Sequence, residues 1–560
     1  MAYVMGSVPV VKLNDIDPLF LKQCVAIAVA GAVGQPDPAS PTSPTPTLVS
    51  TTATGIEKPG FDADRRAVIV ADYPDAFSDT YGTPSRSPVL YKTGGRWPQP
   101  KGGPDAQLFL RQMYPVNDHP IAESWTGIVR NVEAYLDKHQ MPFTAVTGFG
   151  WGNQGAGEPF CPLLVTIGVE PGSVAFANAK ITADAVKSTI LGKAGFPKVE
   201  VAIWEWTTGF AVGPELPLNP LVDGVIAEFA APFSSVLPLA IAPLKGPHYE
   251  GTASVFLRRN ADSKRPLRGF EAAVTKTESR IGTLQKIKAT AEKSITRLQD
   301  QEAAGTGDPE RITNALGREE GNVKDATVNI EGLNHLHTHV VKTMRTPAKR
   351  VIGRVLHADP VGPSSGPEPF TIDWAVIELS EDAIDWDTFQ GNKVYIGGSL
   401  DEESFQELML PWAANGADYA YPEDGLLPIF GVVPESELHQ PTQCNGRSAP
   451  AMPVIKNGLT TGTTVSWLNG LKALVCHYDY DHCDVNFTSF ETTILPYGRR
   501  GAFSAAGDSG AIILDRRGRI IALLTGGGGG LTDETDVTFA TEWCALEPHI
   551  KGTLEGIQLY

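Results

Sequence analysis

The stretch Gly501–Gly510, GAFSAAGDSG, runs directly into an apolar segment, Ala511–Leu514, AIIL. Glycines bracket an acid and a serine at Gly507-Asp508-Ser509-Gly510. Such glycines let the main chain turn tightly beside a ligand. The amide N–H groups of Gly507 and Ser509 can then point together at a developing oxyanion, which nominates Ser509 as an attacking hydroxyl. The tetrapeptide by itself is a weak signal. Its surroundings add to it: AIILD reads as a strand, DRRG (Asp515–Gly518) as a turn and RIIALLTGGG (Arg519–Gly528) as a second strand.

A serine hydroxyl is inert near neutral pH unless a base takes its proton, so a histidine and a carboxylate are the next requirement. Phe370–Leu379, FTIDWAVIEL, is an apolar strand interrupted by one acid, Asp373, which precedes Ser509 in the chain. The GDSG loop, the strand pair after it and this acid-bearing strand resemble the trypsin-like, chymotrypsin-fold serine peptidases, whose triad runs His, Asp, Ser. The resemblance implies Ser509 as nucleophile, Asp373 as orienting acid, Gly507 and Ser509 as oxyanion donors, and a double β-barrel. It also implies a primary pocket with Phe503 at its base and Thr525, Gly526 and Gly527 as its wall, suited to an apolar or small side chain. In detail the chain resembles a poorly characterised fungal group with an N-terminal α/β domain and a helical insertion. Val169–Ser173 (VEPGS), Val199–Glu205 and Val454–Trp467 (VIKNGLTTGTTVSW) carry that likeness, with Ser466 where a glycine is expected.

The histidine is missing from its place. Members of the group continue from a strand like Gly251–Leu257, GTASVFL, into Leu-Thr-x-x-His-Val, whereas this chain runs through RRNADSKRPLR, Arg258–Arg268, into a helix. His357, in RVIGRVLHADP, reads as structural, and His248 precedes the strand rather than following it. His335, His337 and His339 fall in a helical segment, with His337 in the apolar seam and the other two facing water. Loss of the histidine from a comparable triad costs on the order of a millionfold in turnover. Three readings stay open: a noncatalytic homologue, a sequence lacking the short segment that held the histidine, or a substitute base. The expected function is a serine endopeptidase homologue that hydrolyses peptide bonds through Ser509 or has lost that ability. The alternative is a peptide-binding or scaffold protein. No Ile-Val-Gly-Gly cut site precedes Gly251, so activation by a freed N-terminus burying against Asp508 has no support.

With 560 residues, 57 glycines and 44 prolines, the chain is long enough for two or three folded units. A net charge of −18 without a clustered Lys/Arg stripe argues against nucleic acid or an anionic membrane surface as the main partner, and the resemblance implies a peptide or protein substrate. Six widely spaced cysteines give no disulfide framework and fit a reducing compartment, so an intracellular, cytoplasmic location is expected. The apolar AIAVAGAVG within Leu19–Gly34 is too short to span a bilayer.

The fold class expected is multidomain: an N-terminal α/β domain plus a chymotrypsin-like double β-barrel interrupted by a long antiparallel helical hairpin. Residues 1–64 read as a disordered tail, Pro/Ser/Thr-rich from Gln35, and 65–215 as the α/β domain. The first barrel falls on 216–267 and 346–427, the hairpin on 268–345 and the second barrel on 428–560. Within the α/β domain, Ile121–His139 and Thr182–Leu191 read as helices, Pro162–Val169 and Val199–Glu205 as strands, and Gly148–Gly157, GFGWGNQGAG, as a surface loop. Val274, Ile281, Leu284, Ala291, Ile295 and Leu298, then Val323, Ala326, Ile330, Leu333, His337, Val340 and Met344, recur at heptad spacing on either side of GTGDP (Gly305–Pro309). The hairpin reads as a solvated prop, or else as an arm for a protein partner. CHYDYDHC (Cys476–Cys483) has ligand residues adjacent on a strand that point to opposite faces, so it reads as a polar hairpin, and neither metal nor cofactor is expected.

Overall fold

The structure is a computed structural model describing residues 16, 20–25, 63–98, 110–154, 158–210, 237–241, 251–259, 270–306, 308–344, 352–379, 389, 391–397, 400–411, 421–422, 424–446, 448–478, 487–497, 501–529 and 535–560. The protein is multidomain, built on a thirteen-stranded mixed sheet with a long helical hairpin.

The N-terminal part comprises α1 (Ala63–Asp72), β1 (Val89–Lys92), β2 (Arg111–Tyr114), α2 (Trp125–Lys138), β3 (Ala145–Asn153), β4 (Cys161–Val169), α3 (Phe176–Ala185), β5 (Glu200–Glu205) and β6 (Thr207–Phe210). Trp125, Ile128, Val129, Val132 and Leu136 recur at helical spacing and are all buried, which seats α2 on the sheet. Strands β4 and β5 pair in parallel, with α3 as the crossover between them. Of the glycine-rich segment expected as a surface loop, Gly148–Asn153 belongs instead to the strand β3, buried up to Gly152, and residues 155–157 lie outside the described residues. Its glycines make room for neighbouring rings: a Cβ at Gly148 would lie 2.7 Å from Trp125, and one at Gly152 would lie 2.7 Å from Tyr114.

Next come β7 (Leu239–Ile241), β8 (Gly251–Ala253), β9 (Leu257–Arg259) and the helices α4 (Phe270–Ala303) and α5 (Pro309–Met344). The helices form the expected hairpin, with Ile281, Leu284, Ala326, Ile330, Leu333 and Val340 in its seam. Two expectations change here. His335, expected to face water, is buried, while His337 is half-buried with Nε2 3.0 Å from Glu278. The 1–64 tail is not wholly loose either: residues 20–25 are helical and pack on the hairpin, with Cys24 fully buried against Gly282.

Then follow β10 (Gly353–Ala358), β11 (Gly362–Pro363), β12 (Thr371–Ile372), β13 (Ala375–Leu379), β14 (Lys393–Tyr395), α6 (Glu402–Met409), β15 (Leu426–Pro428) and α7 (Glu435–His439). Among the described residues the expected first barrel is not one sheet. It consists of separate pairs, β7–β8, β10–β13, β11–β12 and β14–β15, while β9 pairs the C-terminal β23 (Ile557–Leu559). These short pieces hold together through a shared core. Leu239, Phe256, Trp374, Val394 and Leu427 pack with Phe405 of α6 and with Ile455, Ile512 and Leu514 of the C-terminal strands.

The C-terminal part contains β16 (Met452–Gly458), β17 (Gly462–Leu468), β18 (Ala473–His477), β19 (Phe487–Pro496), β20 (Ile512–Leu514), β21 (Ile520–Gly529), β22 (Val537–Glu542) and α8 (Trp543–Thr553). The strand pairings close a circuit. β16 pairs β17, β17 pairs β19, β19 pairs β22, β22 pairs β21, β21 pairs β20 and β20 returns to β16. The domain expected at 65–215 is not separate from this ring. β3 pairs β18, which pairs β19, and β6 pairs β21, so one sheet runs through both.

Candidate functional site

The loop between β19 and β20 carries Ser509, and its backbone has the shape the sequence requires. Gly507 has φ +99° and Gly510 φ +83°, a region costly for any residue with a Cβ. A Cβ on Gly510 would also collide with the carbonyl oxygen of Thr252 in β8. That strand ties the loop down: Thr252 N–H donates to the Ser509 carbonyl at 3.0 Å and its hydroxyl donates to the Gly507 carbonyl at 3.2 Å. The Ala506 carbonyl accepts from the Thr460 hydroxyl at 2.6 Å, and the Asp508 carbonyl accepts from Ala511 N–H at 3.0 Å. With these acceptors satisfied, the N–H groups of Gly507 and Ser509 donate to nothing among the described residues. Free, neighbouring main-chain donors beside a half-buried serine are what an oxyanion cradle needs.

Asp508 holds the loop from beneath. Its side chain is fully buried and accepts from Thr460 N–H (2.8 Å), Thr461 N–H (3.2 Å), the Thr461 hydroxyl (2.6 Å), Ala505 N–H (3.1 Å) and the ammonium of Lys456 (3.1 Å). Burial would raise this carboxyl, but the Lys456 charge and these donors hold it below the usual carboxylate range.

Among the described residues no hydrogen bond joins Ser509, Asp373 and a histidine. The Ser509 hydroxyl points at the Thr525 carbonyl, 3.5 Å away. Asp373 is half-buried in the turn between β12 and β13, burial pushes its pKa up, and it makes no hydrogen bond to a described residue. Its neighbours Ile372 and Trp374 share a hydrophobic cluster with Ile512 and Leu514, so acid strand and serine strand pack on one core. No described histidine is bonded to either residue. His357 and His549 both turn to Asp359, at 2.9 and 2.8 Å, which makes His357 structural, as its sequence suggests. His477 bonds Ser489, at 2.8 Å, inside the β18–β19 hairpin, while its CHYDYDHC companions His482 and Cys483 lie outside the described residues, as does His248.

Of the residues expected to form the pocket, Phe503 is buried, in a cluster with Met452, Val454, Ile513 and Ile521. Thr525 is buried, and along the wall Gly526 and Gly527 already pair with Phe210 and Gly209 of β6. The neighbouring Gly528 is needed because a Cβ there would meet the Trp206 ring at 2.7 Å. A cavity of about 390 Å³ lies among Glu368, Phe370, Glu435, Lys472, Phe490 and Glu542, which include none of the expected pocket residues. Near it Glu435, His439 and Glu542 could gather around a cation, but the Lys472 ammonium already sits 3.2 Å from Glu542 and 3.3 Å from Glu368.

Sequence reading missed Lys456, Thr252 and β6. The lysine lay in the quoted KNGLTTGTT stretch, yet nothing in its spacing indicates that its ammonium turns inward. No helix among the described residues is long and apolar enough to cross a membrane. The chain matches no protein-family model, and no curated protein matches it.

Proposed function

We propose that this chain is a chymotrypsin-like serine peptidase homologue that keeps an oxyanion cradle but has lost efficient hydrolysis of peptide bonds. The observation that carries the reading is the pair of N–H groups at Gly507 and Ser509 that donate to nothing among the described residues, in a loop whose carbonyls are tied to β8, to β16–β17 and to its own turn. The six-strand circuit supports reading the C-terminal part as a closed barrel, with the paired strands of 237–259 and 352–428 standing for its partner. In this reading Ser509 is the nucleophile, Asp373 the acid, and a peptide carbonyl oxygen would sit between the two amides. Without a base to take the Ser509 proton, turnover falls by on the order of a millionfold, while the cradle retains what binding and oxyanion stabilisation provide.

A fluorophosphonate probe and a peptidyl boronic acid test this on the full chain. The expected result is no Ser509 labelling beyond that of Ser509→Ala over hours, together with boronate binding that Ser509→Ala abolishes. Rapid labelling of Ser509 would overturn the claim of lost hydrolysis and mean that a base reaches it. Absence of boronate binding would overturn the cradle. A second reading, a noncatalytic scaffold, is favoured by one observation: β6 pairs along the very strand edge that an extended peptide would use.

A further inference from the structure

Lys456 is the only charged side chain among the largest fully buried ones of the described residues, and it lies directly under the nucleophile loop. It rises from β16, and its ammonium spends all three protons: one on Asp508 at 3.1 Å, one on the Gly462 carbonyl at 3.1 Å and one on the Thr461 hydroxyl, which itself donates to Asp508. The Phe503 ring packs against the cation, 5.5 Å from centroid to Nζ. Lysine, hydroxyl and carboxylate thus form a closed triangle, all within the β16–β17 hairpin and the loop it faces. At Gly458 a Cβ would collide with the Asp508 carboxylate, so the hairpin backbone is shaped to the pair.

We propose that Lys456 is a positioning residue for the oxyanion cradle: an internal cation, delivered by folding itself, that sets Asp508 and so aims the Gly507 and Ser509 amides. This rests on reading the loop as a cradle. A cation beside a buried carboxylate offsets much of the cost of keeping it ionised in a dry site. Where that cation must be a chain terminus, the loop waits for a cleavage; here the cation is on a strand already hydrogen-bonded to β20 and β17. The loop is therefore formed in the intact chain, and proteolytic processing has no part in shaping it.

Hydrogen–deuterium exchange over residues 504–511 of the full, uncleaved chain reads the proposal without requiring activity, and peptidyl boronate affinity reads the cradle. Three variants are compared with the parent. Lys456→Met leaves Asp508 unpaired, the double variant Lys456→Met/Asp508→Leu removes both charges, and Thr461→Val removes only the bridging hydroxyl. The expectation is protection of the hydrogen-bonded amides of Ala505, Asp508, Gly510 and Ala511 in the parent and at least tenfold faster exchange of these amides in Lys456→Met. The double variant should recover the thermal midpoint but neither loop protection nor boronate affinity, and Thr461→Val should fall between. A merely structural pair would recover loop and stability together, which would overturn the proposal. So would an unprotected loop in the uncleaved parent, or unchanged exchange in Lys456→Met. If the parent shows the loop response but binds no boronate, the positioning stands and the cradle reading fails.

Discussion

Replacing Gly510 with alanine sets two separable penalties at the loop. The first is conformational: at φ +83° an L-residue pays about 1–2 kcal/mol. The second is steric, because the new Cβ would lie under 3.0 Å from the main-chain oxygen of Thr252, an atom that cannot swing aside like a side-chain tip. Overpacking of that kind costs about 1–3 kcal/mol, and relief requires β8 to retreat, which weakens the Thr252 N–H to Ser509 carbonyl bond. The sum is about 2–5 kcal/mol, a large part of the stability of an ordinary domain. Gly501→Ala is the internal control. Gly501 has nearly the same φ, +84°, with no described residue near its would-be Cβ, so it pays the conformational penalty alone. Urea denaturation of the two variants and the parent, followed by tryptophan fluorescence, should place Gly510→Ala about 1–3 kcal/mol below Gly501→Ala. Equal losses in the two variants would refute the close packing of β8 on the Ser509 loop.

Other expectations follow from buried groups. Burial lowers His477 from 6.5 to about 4, so the folded state holds it neutral; its contribution is present above pH 6.5 and is lost as pH falls toward 4, by about 3 kcal/mol. His477→Gln should flatten that acid limb in a pH series of melts. Glu491 shifts the other way. Burial raises it, one of its oxygens has no partner among the described residues, and stability should decline as pH rises above the unfolded value near 4.5, a slope that Glu491→Gln should remove. Gly282→Ala would press a Cβ into the Cys24 carbonyl and lift residues 20–25 from the hairpin, so the buried Cys24 thiol should become reactive to iodoacetamide; unchanged reactivity would deny that packing.

The sequence made some of this legible and hid the rest for identifiable reasons. Periodicity located the helical hairpin, because Ile281, Leu284, Ala326, Ile330 and Leu333 form a seam between two neighbours in the chain. The conformation of the GDSG loop was legible because positive φ selects glycine at Gly507 and Gly510. The strand β3 was hidden by the same reasoning misapplied: its glycines answer to the rings of Trp125 and Tyr114, which approach from other elements, and not to a turn. The run of glycines after Thr525 likewise reflects the β6 strand and Trp206 lying against it, contacts more than 300 residues apart in sequence. Lys456 stayed invisible because a lysine in an alternating strand reads as solvent-facing, and only the buried Asp508 opposite reverses that.

The Gly507 and Ser509 amides are proposed to stand ready together for an oxyanion. Selective ¹⁵N-glycine labelling of the uncleaved chain, with the Gly507 resonance assigned through Gly507→Ala, tests it while a peptidyl boronic acid is titrated in. The Gly507 amide is expected to move downfield as the boronate oxygen takes its hydrogen bond, and the shift to disappear in Ser509→Ala. A Gly507 resonance that stays in place while the boronate binds would contradict it.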